Sequence, residues 1–388
     1  MKNRKNRKFC KKHKMVVWLA GLFLPVRKSR NLLIQDGQNI LIVYPRRIGD
    51  CVMAIPFLKH IRAQHDVNLT IAGPGYFRDI LNGQNLYDEF VDFGACAGPL
   101  SGNEWLWHRK EIAQARKKIN RKKYDIAIEP FGECFASVFM RMCRARYYAG
   151  MNIGSLHRLY SISAVYDDDR HITDNMLNLY QQLGGVRDEA LAFPSIYPSD
   201  SWKKLEQRIA DAKNLNAFTV IGIHCGASTK QKQWTGYAEL ARLCAEGIKD
   251  AFFILYADKD NMQGIRKIIS QPQMHGRYLV IRKGLREYTD CLRLCHVVIC
   301  NDSSCGHLCA AQGINTVVIY GPYLPVMGTP RGNCSTSLIS KDLPCKPCSY
   351  FSCKYGSDYR CLKAVRPKEV YQEAVRLLKG SGRLQTAE

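Results

Sequence analysis

From residue 39 onward the chain alternates short, continuous apolar runs with stretches of helical period, and this alternation limits the fold more tightly than any one motif. "NILIVYP" (39–45) reads as a strand, "DCVMAIPFLKHIRAQ" (50–64) as a helix, and "VNLTIAGP" (67–74) and "YDIAIEP" (124–130) as further strands. Strands this apolar are covered on both faces, and the helical stretches supply that cover as parallel crossovers. A second series begins at "FTVIGIHCGAS" (218–228), then a helix near 235–248, "AFFILYA" (251–257), a helix near 260–270 and "RYLVIR" (277–282). It ends with a helix near 286–295, "VVICNDSS" (297–304), a helix to about 312, and "NTVVIYGP" (315–322). The predicted class is α/β, with two doubly wound Rossmann-like domains facing a cleft. "FPSIYPSDSW" (193–202), rich in Pro and Ser, predicts the boundary, giving an arm over 1–30 and domains over 31–200 and 201–365. At 388 residues the chain is long for one core, and it contains no internal repeat.

Ligands of doubly wound sheets bind outside the carboxyl ends of the strands, so the turns there are the candidates for chemistry. The first of them, "YPRRIGD", lacks the G-x-G-x-x-G that lets a pyrophosphate approach the backbone, which disfavours a nicotinamide enzyme. It places Asp50 at a helix start. There a carboxylate caps backbone N–H groups, or, at a cleft rim, takes a proton from an acceptor hydroxyl. Arg46 and Arg47 beside it suit a phosphorylated or acidic acceptor. "HCGASTKQKQW" (224–234) follows a strand with small residues for close backbone approach, the hydroxyls of Ser228 and Thr229, and Lys230 and Lys232 to offset phosphate charge. It lacks P-loop spacing, and a plain strand-to-helix turn with exposed lysines reads the same way.

"VVICNDSSCGHLCAAQG" (297–313) crowds Cys300, Cys305, His307 and Cys309 beside Asp302. Helix geometry removes the obvious metal reading. Cys305 and Cys309 lie one turn apart on one face, whereas His307 projects from the other side, so the cysteines read as packing. Asp302, Ser303 and Ser304 with the free N–H groups of the helix start form a second seat for phosphate or hydroxyls.

Lys and Arg exceed Asp and Glu by 57 to 34, a net charge of +23 that implies an anionic partner. Eleven of the basic residues, and no acid, fall in the first 30 positions, so much of the surplus describes an arm rather than a folded body. Its apolar stretch, Met15 to Val26, would span roughly 18 Å as a helix, short of a hydrocarbon core of about 30 Å. No small-x-small cleavage site follows. The expected role is a retained interfacial anchor, with Trp18, Leu19, Leu22, Phe23 and Leu24 in the lipid boundary and flanking cations on an anionic membrane surface. A basic tail whose apolar stub packs on its own domain is the bland alternative, and nucleic-acid binding a third. Single cysteines within apolar segments, such as Cys51, Cys134, Cys143, Cys244 and Cys291, read as small buried hydrophobes of a reducing compartment, the cytoplasm.

In order and spacing over roughly residues 39–380, "RRIGDCVMAIP", "GIHCGASTKQKQW" and "CNDSSCGHLCAAQGIN" followed by "YGP" resemble the three motifs of the ADP-heptose heptosyltransferases of lipopolysaccharide core synthesis, glycosyltransferase family nine. The resemblance implies a GT-B fold, with an acceptor-binding first domain, a nucleotide-sugar-binding second domain, and a closing helix over 366–388 that packs back toward the first. It implies that Asp50 is the general base in an inverting transfer and that Ser228, Thr229 and Lys232 hold the diphosphate, Lys232 stabilising the leaving ADP. Asp302, Ser303 and His307, with Ser304 in the same turn, would contact sugar and phosphate. Asp258 in "LYADKDN" would meet the adenosine ribose, and Arg46 and Arg47 the acceptor. No catalytic metal or other cofactor is implied. The partners would be an ADP-sugar donor and a lipid-linked saccharide acceptor, with no nucleic acid, at the inner face of the inner membrane.

Two departures from the family pattern stand out: Ser304 replaces a usual Gly and Cys225 a usual Pro. The stretches 73–120 and 130–175, where acceptor specificity would lie, show no motif. Cys345, Cys348, Cys353 and Cys361 have a spacing that permits a structural zinc or iron site, and the related autotransporter-modifying heptosyltransferases carry iron on four cysteines in a comparable region. A metal-free knuckle is the alternative. Other readings stay open: heptose transfer to protein, another nucleotide sugar serving core or O-antigen, or an inactive GT-B protein that binds lipid or saccharide. The presence of Asp50, Lys232 and Asp302 argues against the last.

Overall fold

The computed structural model describes residues 17–21, 26–29, 31–93, 109–258, 261–346, 348, 353 and 355–384. The chain divides into two compact units, 1–194 with 326–328, and 195–325 with 329–388. Each is built on one six-stranded sheet in which every strand pairing is parallel.

In the first unit the strands are β1 (Asn39–Val43), β2 (Asn68–Gly73), β3 (Glu89–Asp92), β4 (Tyr124–Glu129), β5 (Ala145–Asn152) and β6 (Ile162–Val165). Their spatial order is β3-β2-β1-β4-β5-β6. The crossovers include α1 (Ile48–Gln64), α2 (Gly75–Leu81), α3 (Arg109–Ile119) and α4 (Cys134–Arg141), and α5 (Ile172–Gln182) follows β6. Alternation along β1 sends Leu41 and Val43 to one face, where they join Ala72, Ala127, Phe135 and Phe139 in a single core. Helix α1 is buried nearly all round from Cys51 to Ile61, which is why its sequence carries no amphipathic stripe.

The second unit opens with α6 (Trp202–Lys213) and repeats the winding with β7 (Thr219–His224), β8 (Ala251–Tyr256), β9 (Tyr278–Ile281), β10 (Val297–Asn301), β11 (Thr316–Tyr320) and β12 (Thr336–Ser340). The order is β12-β11-β10-β7-β8-β9, the same topology strand for strand. Its helices are α7 (Tyr237–Gly247), α8 (Met262–Ile269), α9 (Leu285–Cys291), α10 (Ser304–Ala310), α11 (Arg360–Lys363) and α12 (Pro367–Gly380). In each sheet the winding reverses once, between β1 and β4 and between β7 and β10. Those switch points are where a doubly wound sheet offers a crevice.

The closing helix has its own apolar face. Val370, Ala374, Leu377 and Leu378 of α12 are buried in the second unit's core with Leu240, Cys244, Val317 and Ile319. That face is therefore used on α7 and the second sheet. Strands β3, β5, β6 and β12 lie toward the sheet edges and were not singled out from sequence. Glu89 to Asp92, the first half of β5 and Thr336 to Leu338 are partly exposed, so their residues mix polar and apolar and give no continuous run.

Residues 17–21 are helical. Val17 is buried in the first unit's core, with Ala20 packed against it, while Trp18 and Leu19 keep 52% and 40% of their surface exposed. Leu22, Phe23 and Leu24 of the expected anchor lie outside the described residues. The Lys28 ammonium donates to the carbonyls of His157 (2.6 Å) and Tyr160 (2.8 Å). All described cysteines are free thiols, with Cys51, Cys134, Cys143, Cys244 and Cys291 buried. Burial pushes the Cys143 and Cys244 thiols up to about 12, so they serve as packing groups.

Candidate functional site

At the first switch point, β1 ends at Val43 and α1 begins after Arg47, whose extended backbone makes it the N-cap. Asp50 is therefore inside the first turn, not the cap that a helix-start acid suggests. Its carboxylate takes both Nε (3.1 Å) and a terminal nitrogen (2.9 Å) of Arg46 on one oxygen. That pair retains only 11% and 16% of its side-chain surface. The Arg46 guanidinium lies over the Phe131 ring at 3.6 Å, and its carbonyl accepts from the Tyr76 hydroxyl at 2.5 Å. The Tyr44 hydroxyl donates to the Asp50 carbonyl at 3.0 Å. Arg46 is thus committed to Asp50, and Arg47 is the exposed arginine of the two.

Because β4 pairs beside β1, with Ile42 opposite Ile128, the loop leaving β4 arrives next to this turn. Sequence reading found nothing here, yet "EPFGE" (129–133) supplies Phe131 and two acids. Glu129 is fully buried. Its carboxylate accepts from the backbone N–H of Phe131 (3.3 Å), Gly132 (2.7 Å) and Glu133 (3.2 Å) and from the hydroxyls of Ser137 (3.4 Å) and Tyr160 (3.3 Å). Burial and then the neighbouring Glu133 push Glu129 up to about 7, against the pull of those N–H groups. Glu133 caps α4, accepting from the Ala136 N–H at 2.6 Å. Gly132 occupies the left-handed region at φ +84°, and a Cβ there would meet Ile153 at 2.6 Å, so this turn needs glycine. A signal was present in the two acids four residues apart after a strand that neighbours the first motif.

The second switch point gathers both remaining motifs. Lys232, in the short helical turn after β7, forms an ion pair with Asp302 at 2.7 Å and lies over the Tyr323 ring at 4.5 Å. Asp302 follows β10, and Ser303 is the N-cap of α10. The Ser303 hydroxyl is buried and has no hydrogen-bond partner among the described residues, so a ligand oxygen would satisfy it. Ser228 and Thr229 are exposed, Ser304 is partly buried, and His307 retains only 7% of its surface.

Asn301, which sequence reading passed over, joins the two loops. Its amide donates to the carbonyls of Cys225 (3.0 Å) and Gly226 (3.1 Å) and accepts from the Trp234 N–H (3.1 Å). Asp258 accepts from the Asn261 N–H at 2.8 Å. It sits over Gly226, where an added Cβ would come within 2.6 Å of its oxygen and 2.9 Å of His224 Nε2. Only glycine lets these side chains close over that backbone.

The cysteines of the third motif form a buried cluster. The Cys305 thiol contacts those of Cys300 and Cys309 and the Tyr288 hydroxyl, and all three cysteines are fully buried. Among the described residues no group of three or more His, Cys, Asp or Glu side chains is arranged to hold a metal ion. Cys345, Cys348, Cys353 and Cys361 are free thiols, and Cys348 donates to the Cys345 carbonyl at 3.4 Å. No helix among the described residues is long and apolar enough to cross a membrane.

Residues 112–357 match a family model described as glycosyltransferase family 9 (heptosyltransferase). A lipooligosaccharide heptosyltransferase 2 of Campylobacter jejuni is 25% identical over 171 residues, covering 43% of this chain and 53% of that protein. The chain thus spans about half the length of the first curated relatives it matches. A solved glycosyl transferase family 9 structure from Veillonella parvula superposes with a TM-score of 0.73 at 20% identity, covering 90% of this chain and all of that one. The E. coli ADP-heptose lps heptosyltransferase II follows with a TM-score of 0.69 at 17% identity, covering 89% and 99%.

Proposed function

The chain belongs to glycosyltransferase family 9, the heptosyltransferases, and on that premise we propose that it moves heptose from ADP-heptose to a lipopolysaccharide inner-core acceptor with inversion. One observation carries this reading: Lys232, paired to Asp302 at 2.7 Å beside the unpartnered Ser303 hydroxyl, stands at the switch point of the second sheet. A fixed cation with neutral donors around it is what a departing diphosphate requires.

Asp50 accepts the proton of the acceptor hydroxyl as that oxygen attacks the anomeric carbon, and the bond from that carbon to the diphosphate breaks. Lys232 leaves Asp302 for the diphosphate and stabilises the charge that grows there, while the Ser228 and Thr229 hydroxyls and Ser303 donate to its oxygens. Asp302, Ser304 and His307 orient the sugar, Asp258 holds the ribose, and exposed Arg47 meets acidic groups of the acceptor. Arg46 acts through Asp50.

The acceptor is lipid-linked, and the arm keeps the enzyme on the anionic inner face of the inner membrane. Val17 fastens the helical stretch to the folded body while Trp18 and Leu19 stay exposed beside it, as an interfacial anchor requires. Deleting residues 1–30 should abolish flotation with anionic vesicles and spare turnover on a soluble acceptor; unchanged flotation would refute the anchor. The transfer itself is tested with a panel of nucleotide sugars and truncated core acceptors read by mass spectrometry. ADP-heptose should give a product carrying one added heptosyl unit, and exclusive use of another sugar would overturn the donor assignment.

A further inference from the structure

The basic arm is seated on the first unit on both sides of its apolar stretch. Before that stretch, Val17 enters the core that α3 and α4 share with Leu156 and Leu159, and Gly21 lies against Arg158, whose Cβ is 3.8 Å from the place a Gly21 Cβ would take. After it, Lys28 grips the carbonyls of His157 and Tyr160, and the Ser29 N–H donates to the Ser161 carbonyl at 3.1 Å. All of these contacts fall on the one segment that joins β5 to β6. Exposed Trp18 and Leu19 therefore have a set direction relative to the folded body.

Cations of that body surround the seat. Arg144 and Arg146 stand at the start of β5, and Arg158 stands beside the arm helix. Arg27 and Arg146 meet at one ring, that of Tyr147, at 5.6 Å and 5.3 Å. The end of α3 joins them, because Arg116 Nε donates to the Met142 carbonyl at 3.2 Å and the Asn120 amide oxygen accepts from the Arg144 N–H at 2.9 Å. All five arginines are exposed. Among the described residues none of the five is paired with a carboxylate, whereas Arg62, Arg187 and Arg242 elsewhere are. Residues 134–165 contain no acid that could supply one. Like charges gathered without counter-ions destabilise a folded surface, and an anionic partner offsets that cost.

We infer that this side of the first unit is a membrane-docking face: Trp18 and Leu19 enter the interface of an anionic bilayer while the five arginines meet its phosphate headgroups. The inference rests on the reading of the arm as an anchor and goes beyond it. It gives the folded body its own share of the binding and fixes which side of that body faces lipid. Exposed apolar side chains adjoining the cations favour a bilayer over a nucleic acid, since interfacial binding adds buried apolar area to electrostatic attraction. A nucleic acid would use the cations alone and leave Leu19 in water.

The test is co-sedimentation of the full-length protein, across a salt series, with vesicles of phosphatidylethanolamine and phosphatidylglycerol and with vesicles of phosphatidylcholine. Arg144→Glu, Arg146→Glu and Arg158→Glu, combined in one protein, should weaken binding to the anionic vesicles by about tenfold or more and flatten its salt dependence. Turnover on a soluble truncated acceptor should stay at the wild-type rate. Trp18→Ser with Leu19→Ser should also weaken binding but keep the salt dependence. Should the charge-reversed protein fail to fold, Arg144→Gln, Arg146→Gln and Arg158→Gln removes the charges only and should give a smaller loss in the same direction. Wild-type binding by a folded arginine variant, with the Trp18 and Leu19 variant released, overturns the docking face and keeps the arm as sole anchor. Wild-type binding by both overturns the anchor reading as well. Equal binding of the wild type to phosphatidylcholine removes the role of charge and overturns the inference. So does an arginine variant that loses binding to single-stranded RNA and keeps binding to vesicles, which would assign the face to nucleic acid.

Discussion

The two sheets are wound identically, yet their switch points carry opposite chemistry. In the first, the Asp50 carboxylate holds an arginine, Arg46, whose guanidinium lies over the Phe131 ring. In the second, a lysine faces a single carboxylate amid hydroxyls and a side-chain amide, and the loops are clasped by Asn301. On the proposed reading, one winding would provide both halves of a transfer, a place to deliver a proton and a place to receive a negative leaving group. The difference lies in the four loops that leave β1, β4, β7 and β10, not in the frame.

The sharpest way to break this contrast is to exchange the consequences of its two centres. Asp50→Ala should lower kcat by about 10²–10⁴ and leave ADP-heptose affinity, measured by calorimetry, within a few-fold of wild type. Lys232→Ala should lower kcat by about 10²–10³ and also weaken binding of ADP itself, because both partners of the charge interaction belong to the second domain. If the two variants showed the same pattern in binding and turnover, the division of labour would be wrong.

A smaller effect separates clasp from chemistry. Asn301→Ala leaves the Trp234 N–H without its acceptor and removes both donations to Cys225 and Gly226. It should cost about 2–4 kcal/mol of stability. By hydrogen exchange the loss should be confined to the second domain, with β1 to β6 protected as before.

Two further groups, buried Glu129 and partly buried His296, have opposite pH signs. Glu129 has its folded value raised from 4.5 to about 7, so the native state holds a proton that the unfolded chain releases. Its contribution to stability therefore falls as pH rises from about 4.5 to about 7, by on the order of 3 kcal/mol over that window. His296 has the reverse behaviour. Burial, then Arg383, lowers it from 6.5 to about 4, and its ring nitrogen accepts from the Val220 N–H at 2.9 Å. Its contribution is complete above 6.5 and is lost as pH falls toward 4. Denaturant melts of wild type against Glu129→Gln and against His296→Asn should give difference curves that slope in opposite directions between pH 4.5 and 6.5. Parallel slopes would show that the burial of one of these groups is misjudged.

The same asymmetry governs what could be read from the sequence. Strands β1, β2, β4, β7, β8, β10 and β11 lie inside their sheets and are visible as apolar runs, as is the edge strand β9; the edge strands β3, β6 and β12 and the half-exposed interior strand β5 are not. The loops of the second switch point together carry small residues, hydroxyls and lysines in patterns that suit backbone approach to phosphate, so Ser228, Thr229, Lys232, Asp302 and Ser303 can be proposed from sequence. At the first, only the turn with Asp50 can. Glu129 and Glu133 act through burial and through neighbours contributed by β1 and by Tyr160, and linear sequence does not display burial. The helix-start argument placed Asp50 in the right turn; of the two roles it offered, the cap falls to Arg47, and Arg46, four residues before Asp50, claims its carboxylate.

The most direct measurement is transfer of heptose from ADP-heptose to a truncated inner-core acceptor by wild type and Asp50→Ala, followed by mass spectrometry with ADP-heptose binding measured on the same preparations. The wild type should add one heptosyl unit, and Asp50→Ala should bind the donor and add none. Transfer by Asp50→Ala at the wild-type rate, or no transfer from ADP-heptose by a wild type that binds it, would contradict the assignment of a proton-accepting first domain and a leaving-group-stabilising second.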